Sequence, residues 1–262
     1  MDDATAPRCV LRAEGITKRY AGNVVLNEVS IQVRGGELLG LVGPNGSGKS
    51  TLLNVMSGVV APEGGGMQVE GVTIRRLSAD DARRRGIHRT FQGLRLVEDR
   101  TALENALSGL HLERRHFPWR PGHRTRRQRV ARAMSALERA GVDDYANWSV
   151  RYLSHGSRRK VELARAVVAE PTLLLLDEPT SGVSTAHTER MAAVMRAEAA
   201  RGCAVLLVEH NLRFVLDNCT RLVVLDAGRL IYEGTPHDAL DDAQVREAYL
   251  GRGDSPRARS HG

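Results

Sequence analysis

"GPNGSGKS", residues 43–50, follows the apolar run Leu38 to Val42 and opens a helical stretch from Lys49 to about Ser57. It fits G-x-x-x-x-G-K-[ST] at every fixed position, in the strand-then-helix context that such a loop needs. Glycine permits backbone angles that turn several N–H groups inward, and the helix N-terminus adds partial positive charge, so the loop can cage polyphosphate oxygens. In this reading Gly43, Pro44, Asn45, Gly46, Ser47 and Gly48 form the cage, with Thr51 beside it. Lys49 reaches the β and γ phosphates, and the Ser50 hydroxyl ligates Mg²⁺. The competing reading is a glycine-rich turn with an exposed lysine. The motif specifies a nucleoside triphosphate but does not separate kinases, GTPases, helicases and transporters.

Outward from the loop, short strand-like stretches at Val10 to Glu14 and Val29 to Val33 precede it, and "APEGGGMQVEGVTI" returns to strand-like alternation after it. From about Ala102 to Ala140 the pattern is helical, broken by "FPWRPGH" at 117–123, where two prolines and a glycine cannot continue a helix. A helix is expected beyond Ser154, with its long stretch from Arg158 to Ala169, then "TLLLLDEP", a helix through Thr188 to Arg201, "AVLLVEH" and "RLVVLDAGRLIYEG". Aliphatic runs of this length between helices describe a buried, mainly parallel sheet. The expected fold is α/β, a P-loop nucleoside triphosphatase with a mixed or parallel sheet. Residues 1–252 form one nucleotide-binding domain, its core at about 9–92 and 165–235 and a helical sub-domain at about 93–164. Residues 253–262 have the composition of a tail.

"LLLLDEP", residues 173–179, ends its apolar run in two carboxylates. Ligands of a parallel α/β sheet collect outside the carboxyl ends of the strands, which sends Asp177 and Glu178 toward the rim that carries the phosphate loop. Asp177 fits the Walker B role of holding hydrated Mg²⁺. Glu178 is the candidate for polarising the attacking water. The alternative for the pair is capping of the helix that follows.

Bulk properties exclude several classes. The 262 residues, 42% hydrophobic and 26% charged, are those of a globular chain and not of a disordered one. The acidic start MDDATAPR has no apolar signal core, and the longest aliphatic runs are too short for a bilayer, so a cytosolic location is expected. Cys9, Cys203 and Cys219 show no metal spacing and read as buried or incidental thiols. The net charge of +7 is local: residues 111–132 hold eight arginines against one glutamate, which leaves the rest of the chain neutral. That distribution fits poorly with a nucleic-acid groove, so no nucleic-acid partner is expected. It fits either a solvated helical face or contact of residues 114–132 with anionic lipid.

"LSHGS", residues 153–157, invites a nucleophile reading because Ser154 adjoins His155. Sequence neighbours have no reason to hydrogen-bond in space, and no G-x-S-x-G elbow is present. Small residues opening a helix offer instead a hydroxyl, free N–H groups and a positive dipole end, which suit a phosphate.

Taken together, the phosphate loop at 43, "FQ" at 91–92, "LSHG" at 153–156, "LLLLDEP" and "VEH" at 208–210 resemble the ATP-binding cassette ATPases in order and approximate spacing, over residues 10 to 251. The resemblance implies ATP and Mg²⁺ as ligands. It implies that Ser154, His155 and Gly156 meet the γ-phosphate of ATP held by a second ATP-binding subunit, identical or paralogous, so that two copies sandwich two nucleotides head to tail. It makes Gln92 the glutamine that contacts Mg²⁺ and water, His210 the switch histidine at the γ-phosphate, and Tyr20 the aromatic that stacks on adenine. Two spellings depart from the family: His155 and Ser157 in the usual LSGGQ, and Ser184 where an aspartate is usual.

"GIHRTFQGLRLVEDRTALENAL", "VEHNLRFVLDNCTRLVVLDAGRLIYEGTP" and "VREAYLG" resemble the ATP-binding subunit of branched-chain amino acid importers. Urea and short-amide importers and the lipopolysaccharide-exporting ATPase share this shape. A soluble cassette ATPase of translation or repair is disfavoured by the absence of a second cassette or long coiled-coil insertion, and a phosphotransferase by the signature and the switch histidine. The resemblance implies two polytopic membrane permease subunits, an extracytoplasmic substrate-binding protein behind them, and a peripheral position on the cytoplasmic face of the membrane.

Overall fold

A computed structural model describes residues 8–90, 93–110 and 125–250; Gln92, most of the arginine-rich segment and the tail at 253–262 lie outside the described residues. The chain begins with two long strands, β1 (Cys9–Tyr20) and β2 (Asn23–Arg34), joined in a hairpin. β3 (Leu38–Val42) leads through the glycine loop into α1 (Lys49–Met56). β4 (Gly64–Val69), β5 (Val72–Ile74), α2 (Ala79–Arg84) and the three-residue β6 (Ile87–Arg89) follow. α3 (Ala102–Ser108), α4 (Arg126–Ala140) and α5 (His155–Val167) pack on one another. The second half alternates β7 (Leu173–Asp177), α6 (Thr185–Ala200), β8 (Ala204–Val208), α7 (Leu212–Asn218) and β9 (Arg221–Asp226). It closes with β10 (Arg229–Gly234) and α8 (Ala243–Leu250).

Two sheets result. One is antiparallel, in the order β2-β1-β4-β5; the other runs β10-β9-β3-β8-β7-β6, parallel throughout except for β10. Apolar positions of the parallel sheet alternate between two cores. Leu174, Leu176, Val205 and Leu207 join the helices, whereas Leu173, Leu175, Leu206 and Val208 join the antiparallel sheet and α1. A strand covered on both faces has no solvent side, which is why these segments read as unbroken aliphatic runs.

Several boundaries differ from the sequence reading. The hairpin strands extend well beyond Val10–Glu14 and Val29–Val33, because shifts in their register interrupt the alternation on which strand reading relies. α5 starts at His155, directly beyond Ser154 and ahead of the long stretch from Arg158, since the Ser154 hydroxyl accepts the Ser157 N–H and caps the helix. It also runs unbroken across 164–165, where the border of the helical sub-domain was expected. α6 starts at Thr185, ahead of Thr188. No helix among the described residues is long and apolar enough to cross a membrane. Cys203 and Cys219 are buried, and burial pushes both thiols up to about 12.

Candidate functional site

The phosphate loop is a left-handed track. Gly43, Gly46 and Gly48 have φ of 149°, 80° and 108°, and a Cβ at Gly43 would lie 1.9 Å from the Leu225 carbonyl oxygen of β9. Only glycine lets the loop seat this closely against the neighbouring strand. Within it, the Lys49 ammonium donates to the Gly43 and Pro44 carbonyls, each at 2.8 Å. The Pro44 carbonyl also accepts the Ser47 N–H at 3.2 Å. Burial lowers the Lys49 pKa, and the carboxylates of Glu178 and Asp177 oppose that shift. The lysine is therefore a desolvated donor held over its own loop, and phosphate oxygens can replace the two carbonyls.

A cavity of about 240 Å³ opens at this point, lined by Asn45, Gly46, Lys49, Ser50, Glu178 and His210 among others. Thr51 lines it too, as does Val25 of the β1–β2 hairpin. The hairpin is seated on the loop: a Cβ at Gly48 would come within 2.7 Å of the Val25 carbonyl oxygen. Tyr20 stands at the end of β1, 44% exposed, with the Lys18 ammonium 5.3 Å from its ring centre. It presents a ring face on the hairpin but is not itself in the cavity wall.

Asp177 ends β7 and is buried; its Oδ2 accepts from the Arg89 guanidinium at 3.0 Å, while its Oδ1 has no hydrogen-bond partner among the described residues. Glu178 follows with φ of 49°, its N–H bound to the Val208 carbonyl at 2.9 Å. This strained turn aims the carboxylate into the cavity, where Oε1 lies 2.8 Å from His210 Nε2. The alternative capping role is not taken: Ser184, not either carboxylate, stands at the N-cap of α6. Beside His210, the buried Glu209 accepts from the N–H and hydroxyl of Thr180 at 2.9 and 2.7 Å, tying the end of β8 to the turn after β7.

The signature residues lie elsewhere. Ser154 donates its hydroxyl to Ser157 Oγ at 3.0 Å, and His155 Nε2 lies 3.2 Å from the Ser181 carbonyl. Ser154 and His155 do not pair, so the nucleophile reading has no base. Gly156 allows α5 to approach α6, since a Cβ there would be 2.3 Å from His187 Cδ2. None of Ser154, His155 and Gly156 lines the phosphate-loop cavity.

Sequence reasoning did not single out Arg89, Glu209 or Val25. An arginine inside "GIHRTF", where a strand enters the core, was the available signal for the first. The other two are placed only by tertiary contacts.

A parallel sheet with a glycine-rich loop, a helix N-terminus and a carboxylate pair at one rim defines a P-loop nucleoside triphosphatase. Residues 26–181 match the family described as ABC transporter, and the chain belongs to that family as an ATP-binding, ATP-hydrolysing subunit coupled to transport. Residues 229–255 match a second family, described as branched-chain amino acid ATP-binding cassette transporter. The chain is 32% identical over 254 residues to the high-affinity branched-chain amino acid transport ATP-binding protein BraF of Pseudomonas aeruginosa, covering 93% of this chain and 98% of the relative. It is 35% identical over 242 residues to the lipopolysaccharide export system ATP-binding protein LptB of Acidithiobacillus ferridurans, covering 92% and 97%. A crystal structure of a nucleotide-free ATP-binding cassette from an ABC transporter superposes with a TM-score of 0.82 at 30% identity, covering 93% of this chain and 99% of the other. A dimeric bacterial ABC transporter cassette superposes at 0.77 and 27% identity.

Proposed function

We propose that this chain hydrolyses ATP to drive import of branched-chain amino acids, working as one half of a cassette pair beneath two polytopic permease subunits on the cytoplasmic face of the membrane. An extracytoplasmic binding protein delivers the cargo. The match of residues 229–255, a stretch that includes β10 and α8, supports this cargo. Lipopolysaccharide export is the second reading, favoured by the 35% identity to LptB. Uptake of labelled leucine by cells lacking the chain separates them: unchanged uptake removes the import reading.

The observation that carries the paired arrangement is the incomplete clamp. Lys49, Ser50, Glu178 and His210 face one cavity, and the signature at the start of α5 is not in its wall. In the proposed sandwich, Ser154, His155 and Gly156 of one copy close over the γ-phosphate in the other. Tyr20 stacks on adenine, a contact that needs only a ring face. The residues present fit Mg²⁺: Asp177 Oδ1 is buried and unpartnered among the described residues, and Ser50 stands at the helix start facing the cavity. Asp177 and Ser50 would hold the ion, with Gln92 as a further ligand, and the ion would neutralise charge on the phosphate oxygens. Glu178 takes the proton of the attacking water as its oxygen bonds to the γ-phosphorus and the bond from that phosphorus to the bridging β-phosphate oxygen breaks, releasing ADP and phosphate; His210 holds that carboxylate in place through the contact at 2.8 Å. The helical sub-domain, about 93–164, relays closure to the permeases.

Glu178→Gln tests the arrangement. It keeps the shape of the site and removes the base, so ATP binding should persist and an ATP-loaded dimer should accumulate on gel filtration with Mg²⁺. A species that stays monomeric with ATP and Mg²⁺ refutes the sandwich.

A further inference from the structure

We propose that Arg89 is the positioning residue that sets Asp177 for Mg²⁺. This rests on the reading of Asp177 as the Mg²⁺ carboxylate and adds how that carboxylate is aimed.

Arg89 is the last residue of β6, the edge strand paired to β7, and its side chain is 6% exposed against 3% for Asp177. The guanidinium forks. One nitrogen donates to Asp177 Oδ2 at 3.0 Å, and the other donates to Asn54 Oδ1 at 2.6 Å and Ser57 Oγ at 3.0 Å. Asn54 lies in α1 and Ser57 caps its C-terminal end, while the same helix carries Ser50 in its first turn. The two oxygens expected to meet the ion therefore come from separate elements, α1 and β7, and one rigid cation braces them.

The brace also fixes rotation. A carboxylate tied at one oxygen cannot turn freely about its Cβ–Cγ bond. With Oδ2 taken by Arg89, Oδ1 is the atom left for an ion, and it is the one without a partner among the described residues. The Asp177 N–H is held as well, by Thr90 Oγ1 at 3.3 Å, the residue after Arg89. Hydrogen bonds to ligating groups tune metal affinity in this way elsewhere. Lysine keeps the charge but has no planar fork to span Asp177, Asn54 and Ser57 together.

Arg89 also lines a second cavity, of about 590 Å³, with Ser57, Arg83, Arg100 and Arg165 in its wall. It shares no lining residue with the phosphate-loop cavity. A small cation from solvent can thus reach the place of the Arg89 head without crossing the nucleotide site. This makes chemical rescue a direct test.

The variants are Arg89→Ala, Arg89→Lys and Asp177→Asn. The readouts are the affinity for a fluorescent ATP analogue in Mg²⁺ and in EDTA, and the Mg²⁺ concentration for half-maximal ATPase. Arg89→Ala should raise that concentration about 10- to 100-fold. Affinity in EDTA should not change, Arg89→Lys should fall between, and added guanidinium, against a matched sodium chloride control, should restore part of the loss in Arg89→Ala alone. An unchanged Mg²⁺ dependence overturns the proposal, as does a loss of equal size in EDTA that guanidinium does not relieve. If circular dichroism shows Arg89→Ala unfolded, the same measurements on Arg89→Lys decide: a raised Mg²⁺ requirement with unchanged affinity in EDTA supports the brace, and an unchanged requirement overturns it. Asp177→Asn separates the two layers. If it keeps the wild-type Mg²⁺ dependence, the underlying reading of Asp177 fails; if it loses that dependence while Arg89→Ala keeps it, only the role of Arg89 fails.

Discussion

His88, one residue before Arg89, makes a quantitative pH prediction. Burial pushes its pKa from 6.5 down to about 4, the nearby Arg83 guanidinium adds to the shift, and a hydrogen bond with the Ala166 backbone works the other way. The folded protein therefore keeps the ring neutral, whereas the unfolded chain takes up a proton below about pH 6.5. A depressed pKa of this kind contributes stability that is complete above 6.5 and is lost as pH falls toward 4. At 1.36 kcal/mol per pKa unit, the whole window corresponds to about 3 kcal/mol, and the part between pH 7.5 and pH 5 to about 2 kcal/mol. That is a large share of the ~5–15 kcal/mol typical of a domain. His88→Leu replaces the ring with an apolar side chain that does not titrate. Urea unfolding followed by circular dichroism at pH 7.5 and pH 5 should show the wild type losing about 2 kcal/mol more than the variant on acidification. Equal losses in the two proteins would refute the assignment of a buried, neutral imidazole. The comparison cancels the carboxylates that titrate in the same range, because they are common to both.

Further perturbations address the loop and the signature. Gly43→Ala places a Cβ 1.9 Å from the Leu225 carbonyl oxygen at a φ of 149°, and should cost more than about 3 kcal/mol as a lowered urea midpoint; an unchanged midpoint would mean that the loop is not seated against β9. Ser154→Ala removes the cap of α5 and should cost about 1 kcal/mol. Its monomer should bind nucleotide as before, while the ATP-dependent dimer of Glu178→Gln is lost when the two changes are combined; a dimer that survives contradicts the shared clamp.

Different parts of this chain were legible to different degrees. The phosphate loop was readable because its chemistry is local: glycines at fixed offsets and a lysine at a helix start specify one backbone shape. The position of Asp177 and Glu178 at the rim was readable because they sit where an aliphatic run stops and parallel strands end together, whereas His210 was singled out only through the family resemblance. The extent of β1 and β2 was not readable, since register shifts break the two-residue period. That small residues beyond Ser154 open α5 was readable, although the long regular stretch begins only at Arg158; the hydrogen bonds between Ser154 and Ser157 define that helix end.

The fold class and the triphosphate chemistry follow from local pattern alone, because hydrophobic runs and loop glycines act through the residues next to them. The surroundings of the carboxylates came from tertiary contacts: Glu178 meets His210, Asp177 has one oxygen tied and one presented, and on an edge strand a buried His88 precedes Arg89, whose side chain is 6% exposed. Those partners are separated by 32 to 88 residues in the pairs His210 with Glu178 and Arg89 with Asp177. Hydrogen bonds and desolvation depend on distance in space, and no local pattern encodes which distant side chain the fold brings near.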